Sequence, residues 1–176
     1  MVTESSCFGE IPFLEAKKLI ESVEPMLEGS LHFSQKWLDE NHWEAIPIPD
    51  TFDELDTDRL SRMAKQVAAI EGFAILLEVD AEYKVYRVAW SSSNLLSFDK
   101  EFPLTNYLLI PENLGFAVIK EASYYFIIAG PANTIRTMVE NSVDSARESF
   151  RNYANEDFWP DSIRIMLNEV ADTYER

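Results

Sequence analysis

The chain has 176 residues, 47% hydrophobic and 12% aromatic, with Trp37, Trp43, Trp90 and Trp159 spread along it, which fits one globular core and excludes a disordered or low-complexity chain. Thirty-one acidic residues against fifteen basic ones give a formal charge of -16, a balance that repels nucleic acid and anionic membrane and favours basic partners. The one cysteine, Cys7, has no partner for an internal disulfide, no secretory leader pattern opens the chain and no apolar run is long enough for a membrane span, so a cytoplasmic protein is expected.

A single domain over residues 1–176 is expected, with Met1 to Gly9 as a loose end lacking periodicity. Phe13, Ala16, Ile20 and Val23 recur at helical spacing and predict a first helix from Pro12 to Glu24, stopped by Pro25 and Gly29. Ser34 to Asn41 reads as a short helix with Trp37 and Leu38 inward. Trp43, Ile46 and Ile48 then alternate with Pro47 and Pro49, which predicts an extended connector crossing the surface, outside the middle of a sheet. Thr51 and Glu54 have capping-box spacing and should open a third helix. It carries Leu60, Met63, Val67 and Ile70 and ends near Glu71, with Gly72 as its left-handed cap.

Phe73 to Val79 and Tyr83 to Trp90 have strand composition and are joined by Asp80-Ala-Glu82 as a hairpin loop. Ser91 to Asn94 reads as loop, with a short strand over Leu95 to Phe98. The stretch around which the chain is organised follows, from Tyr107 to Tyr153. Tyr107 to Ile110, Gly115 to Lys120 and Tyr124 to Ala129 are apolar at alternate and intervening positions, as interior strands are. Pro131 opens a long helix with Ile135, Met138, Val139, Val143, Ala146, Phe150 and Tyr153 on one stripe, and a last helix near Pro160 buries Ile163, Met166, Leu167, Val170 and Tyr174. The fold class expected is α+β: an antiparallel meander of four to five strands flanked by N-terminal and C-terminal helices.

Catalytic chemistry has little to stand on. His32 and His42 are the only imidazoles, they are ten residues apart, and no nucleophile elbow accompanies them. Five scattered glycines give no phosphate cradle, and Lys84, Arg87 and Lys100 read as charges on a solvated face. No metal or other cofactor is expected. The acidic segment differs: from Asp39 to Asp58 there are eight acids (Asp39, Glu40, Glu44, Asp50, Asp53, Glu54, Asp56, Asp58) and no lysine or arginine. Trp43, Ile46, Ile48 and Phe52 are interleaved with them, which is the composition of a protein-binding hot spot with a polar rim. Asp39, Glu40, Trp43, Glu44, Asp50, Asp53, Asp56 and Asp58 are therefore the candidate partner-binding residues. The competing reading is a connector whose aromatics plug the core while its acids are merely solvated.

The run Leu109-Ile-Pro-Glu-Asn-Leu-Gly-Phe-Ala-Val-Ile119, with Tyr125-Phe-Ile-Ile-Ala-Gly-Pro131 leading into a helix, resembles a hairpin pattern of small immunity proteins of bacterial polymorphic toxin systems. The resemblance implies a cytoplasmic protein that neutralises a cognate toxin, often a basic nuclease, by covering it. It carries no binding residues over, because the acidic segment lies outside it. The expected function is a non-catalytic acidic protein that occludes a basic protein partner. A small enzyme with a cleft between sheet and helices, or an oligomeric adaptor subunit, are the alternatives.

Overall fold

Strands apolar on both faces need cover on both faces, and the computed structural model, which describes residues 8–78 and 84–175, arranges the chain to supply it. Strands β5 (Glu71–Leu76), β6 (Val85–Ala89), β7 (Tyr107–Pro111), β8 (Ala117–Lys120) and β9 (Tyr125–Pro131) form the middle of a seven-stranded antiparallel sheet. Its order is β1-β6-β5-β7-β8-β9-β4, where β1 (Phe8–Glu10) and β4 (Trp43–Pro49) are the two edges. The α+β class stands; the expected four to five strands become seven, and the consecutive order holds within β5-β6 and within β7-β8-β9 but is broken between β6 and β7. Between β6 and β7 the chain crosses over β5 through helix α4 (Ser92–Glu101), where a loop and short strand were expected. The Ser91 hydroxyl caps this helix by accepting the Asn94 N–H. The Asp80-Ala-Glu82 loop and most of Met1 to Gly9 lie outside the described residues.

Two apolar cores result. Ala45, Leu108, Ile119, Ile127 and their neighbours face helices α1 (Phe13–Val23), α2 (Gln35–Asn41), α6 (Val143–Ala154) and α7 (Asp161–Thr173). Ile46, Leu109, Val118, Phe126 and Ile128 face α3 (Glu54–Gln66), α4 and the short α5 (Ala132–Ile135). The long helix expected from Pro131 is therefore two. Ile135 and Met138 serve one core while Phe150 and Tyr153 serve the other, so no straight helix can carry that stripe. The chain breaks over 136–142 and restarts where the Ser142 hydroxyl accepts the Ser145 N–H. Helix α3 ends five residues earlier than expected, at Gln66. Ile70, expected on its inner face, is 82% exposed, and Gly72 lies inside β5. A Cβ there would overlap the Ile110 carbonyl and the Trp90 indole, which is why this position has no side chain.

The proline-bearing connector is a true edge strand, paired with β9 from Trp43 opposite Pro131 to Pro49 opposite Tyr125. The Asp50 N–H donates to the Tyr124 carbonyl at 2.9 Å, which turns even-numbered positions toward β9 and odd ones to the open side. Pro47 and Pro49 are odd and have no N–H, and the Ala45 carbonyl accepts from Arg147 Nη2 at 3.3 Å. The edge is closed to another strand.

Among the described residues one charged side chain lies inside. Lys120 is 2% exposed, its Nζ 3.1 Å from Asp99 Oδ1 and 3.3 Å from the Ala122 carbonyl, and Tyr107 Oη donates to the same Asp99 oxygen at 2.7 Å. Burial, with Asp99 beside it, holds the Tyr107 phenol well above its ordinary range, so the hydroxyl stays a donor. Asp99→Ala should cost about 3–5 kcal/mol in urea unfolding, because it strands the ammonium. Replacing both partners together, as Asp99→Leu with Lys120→Met, should recover most of that loss.

Candidate functional site

The candidate residues divide between the two sides of the sheet. Asp39 and Glu40 are exposed on α2, which the left-handed His42 (φ 54°) ends, sending the chain into β4 at Trp43. Asp53 and Asp56 sit at the start of α3, behind the other face. Between them runs β4, whose six residue steps from Trp43 to Pro49 span about 20 Å. The eight acids thus form two groups at opposite ends of an edge strand. Of the interleaved apolar residues, Ile46 and Phe52 are core, at 0% and 7% exposure, and Ile48 is half-buried. Trp43, the aromatic of the set outside the core, keeps the mixed character expected of an anchor. It is half-buried, with its ring edge-on to Trp37 at 4.9 Å between centroids.

Beside Trp43 lies a cleft of about 400 Å³, lined among others by Gln35, Asp39, Glu44, Asp172 and Tyr174. No base lines it. Asp172 is held by Arg151 Nη1 at 2.6 Å, and Glu40 makes an exposed pair with Lys36 at 3.9 Å. Among the described residues neither Asp39 nor Glu44 has a cationic partner. Asp172 was not legible as part of this site, since 128 positions separate it from Glu44 and only the docking of α7 brings them together.

At the other end the capping box is Asp53 with Asp56, not Thr51 with Glu54. Asp53 Oδ1 accepts the Asp56 N–H at 2.8 Å, and Asp56 Oδ2 accepts the Asp53 N–H at 3.4 Å. The sequence pattern Thr-x-x-Glu lies two residues before the true start because Phe52 is drawn into the core and cannot begin the helix. Asp50 has φ 65° and accepts from Tyr153 Oη at 3.4 Å. Asp58 is exposed on α3.

The residues considered for other chemistry are engaged elsewhere. His32 lies in the two-residue strand β3 (His32–Phe33), paired with β2 (Leu27–Glu28) around Gly29 at φ 69°. Its ring stacks on Tyr174, and burial lowers its affinity for a proton. His42 is an exposed cap, and neither histidine lines any of the larger clefts among the described residues. No group of three or more His, Cys, Asp or Glu among the described residues has metal-binding geometry, and Cys7 lies outside them. Arg87 is no part of a basic spot, since Glu112 (2.5 Å), Glu71 (3.4 Å) and Glu15 (3.4 Å) surround it. No helix is long and apolar enough to cross a membrane, among the described residues. Comparison with known protein families, with curated proteins and with solved structures finds no match to this chain.

The Asp56 carboxyl titrates in an accessible range. Burial first, and the Asp53 carboxylate second, push it from the ordinary 3.8 up to about 6. A folded value above the unfolded one means that the protonated form favours folding. That contribution is full below about pH 4 and is lost as pH rises through about 6. Asp56→Asn keeps an acceptor for the Asp53 N–H and removes the titration, so its stability should fall less than that of the native chain between pH 5 and 7. Urea midpoints at those two pH values check this.

Proposed function

We propose that this chain is a non-catalytic acidic binding protein that occludes a basic protein partner in the cytoplasm, in the way an immunity protein neutralises a toxin domain. One observation carries the reading. Of the eight acids between Asp39 and Asp58, only Glu40 makes an ion pair among the described residues; Asp53 and Asp56 are spent on the capping box and Asp50 accepts from Tyr153 Oη, which leaves Asp39, Glu44, Glu54 and Asp58 with no ion pair of their own. A carboxylate with no ion-pair partner inside the protein attracts one outside it, and a partner of opposite sign is steered toward it before contact.

The cleft beside Trp43 supplies the apolar component that electrostatics lacks. A basic side chain entering it meets Asp39 and Glu44, neither committed elsewhere, and lies against a half-buried indole. Because the β4 edge has prolines at positions 47 and 49, the contact is made through side chains and not by adding a strand. Long-range charge would then govern how fast the partner arrives, and desolvation of Trp43 how slowly it leaves.

Affinity capture at low salt, with native chain and variants side by side, should yield one basic protein held by the native form. On that purified partner, Asp39→Asn with Glu44→Gln should slow association about three- to tenfold in low salt, with the difference fading in high salt. Trp43→Ala should accelerate dissociation by about tenfold. A partner indifferent to salt and to all three substitutions, or no basic partner at all, rules the proposal out.

A further inference from the structure

The opposite end of β4 carries a second aromatic surface. Here the α6–α7 connection turns tightly, with the Glu156 N–H donating to the Tyr153 carbonyl and the Trp159 N–H to the Glu156 carbonyl, each at 3.2 Å. Trp159 Nε1 donates to the Tyr153 carbonyl at 2.8 Å, which fixes the indole. Phe158 is left 66% exposed, its ring 4.3 Å from that of Trp159. Trp159 in turn lies edge-on to Tyr124 at 5.6 Å and to Tyr153 at 5.3 Å, and Tyr153 Oη donates to the Tyr124 carbonyl at 2.9 Å. Large aromatics held this rigidly near water lose little conformational entropy on binding.

Acids surround the platform. Asp50 accepts from Tyr153 Oη, Glu121 accepts the Ser123 and Tyr124 N–H groups, and Glu156, Asp157 and Asp161 belong to the same turn or the start of α7. None of the five makes an ion pair among the described residues. The neighbouring base, Arg164, is half-buried and spends Nη2 on the Trp159 carbonyl at 3.1 Å.

We propose that Tyr124, Phe158 and Trp159, with Asp50, Glu156 and Asp157 around them, dock an arginine-bearing segment of a basic protein partner. The inference rests on the binding role proposed above and assigns that role a surface separate from the Trp43 cleft. Arginine fits for two reasons. Its planar guanidinium stacks on an aromatic face while its N–H groups reach carboxylates in pairs, and it sheds water more readily than a lysine ammonium does.

The test is an NMR titration of the ¹⁵N-labelled full chain with a twelve-residue peptide of alternating Arg and Gly, and with its Lys-Gly counterpart. The Trp159 indole N–H and the Phe158 amide should shift with the arginine peptide, which should bind about threefold or more tighter than the lysine peptide. Phe158→Ser and the pair Glu156→Gln with Asp157→Asn should each weaken binding about fivefold. Both changes are at exposed positions, and thermal unfolding of each variant verifies the fold. Shifts confined to the Trp37 and Trp43 indoles, equal binding of the lysine peptide, insensitivity to Phe158→Ser, or no shifts at all would each overturn the assignment. Shifts at Trp43 alone would do so while leaving the broader binding role intact.

Discussion

Everything in this structure follows from a sheet that is apolar on both faces. Tyr125, Ile127 and Ala129 point to one core, Phe126 and Ile128 to the other, and all are buried. Neither face can meet water without losing roughly 25 cal/mol for each Å² left exposed, so helices must be delivered to both. The chain changes sides more than once to do this. It passes from α2 behind one face to α3 behind the other by way of β4, and from α5 back to α6 across the break at 136–142.

That crossing decides how the acidic segment is displayed. A connector lying flat on the surface would present its eight acids together; an edge strand seven residues long separates them into a group near Trp43 and a group near Asp50. Each group then acquires its own aromatic company from parts of the chain far away in sequence. Trp37 and the C-terminal end of α7 close over Trp43, while Tyr124 and the Glu156-Asp-Phe-Trp-Pro160 turn stand beside Asp50. The strand between them carries no free donor at Pro47 or Pro49 and has its Ala45 carbonyl occupied by Arg147. Another strand cannot add here, so the proposed binding rests on side chains at the two ends of this edge.

Polar groups inside the molecule serve the same two-sided packing. The Tyr174 hydroxyl accepts the Phe33 N–H at 2.9 Å, joining the β2-β3 hairpin to α7, and Tyr153 joins α6 to the β8-β9 turn. Burial raises the phenols of Tyr125, Tyr153 and Tyr174 above their ordinary range, which keeps their hydroxyl protons in place. Lys120 with Asp99 and Tyr107 does for α4 what these tyrosines do for the other layer.

Much of the fold was legible in the sequence, because hydrophobic period and turn chemistry are local. The first, second and last helices, the interior strands β7 to β9, the α+β class and the exclusion of Trp43–Pro49 from the sheet's middle all follow from spacing and proline. The run Glu156 to Pro160 was equally readable, having the same aromatic-among-acids composition that singled out Trp43. Periodicity names a buried stripe without naming the core it is buried in, however. One stripe from Ile135 to Tyr153 therefore read as a single helix, and one acidic run as a single patch. Which face each half serves is fixed by contacts between residues far apart in the chain, such as Phe150 with Tyr125 or Ile135 with the core behind α3. Only the folded sheet, by dividing space into two sides, could decide it.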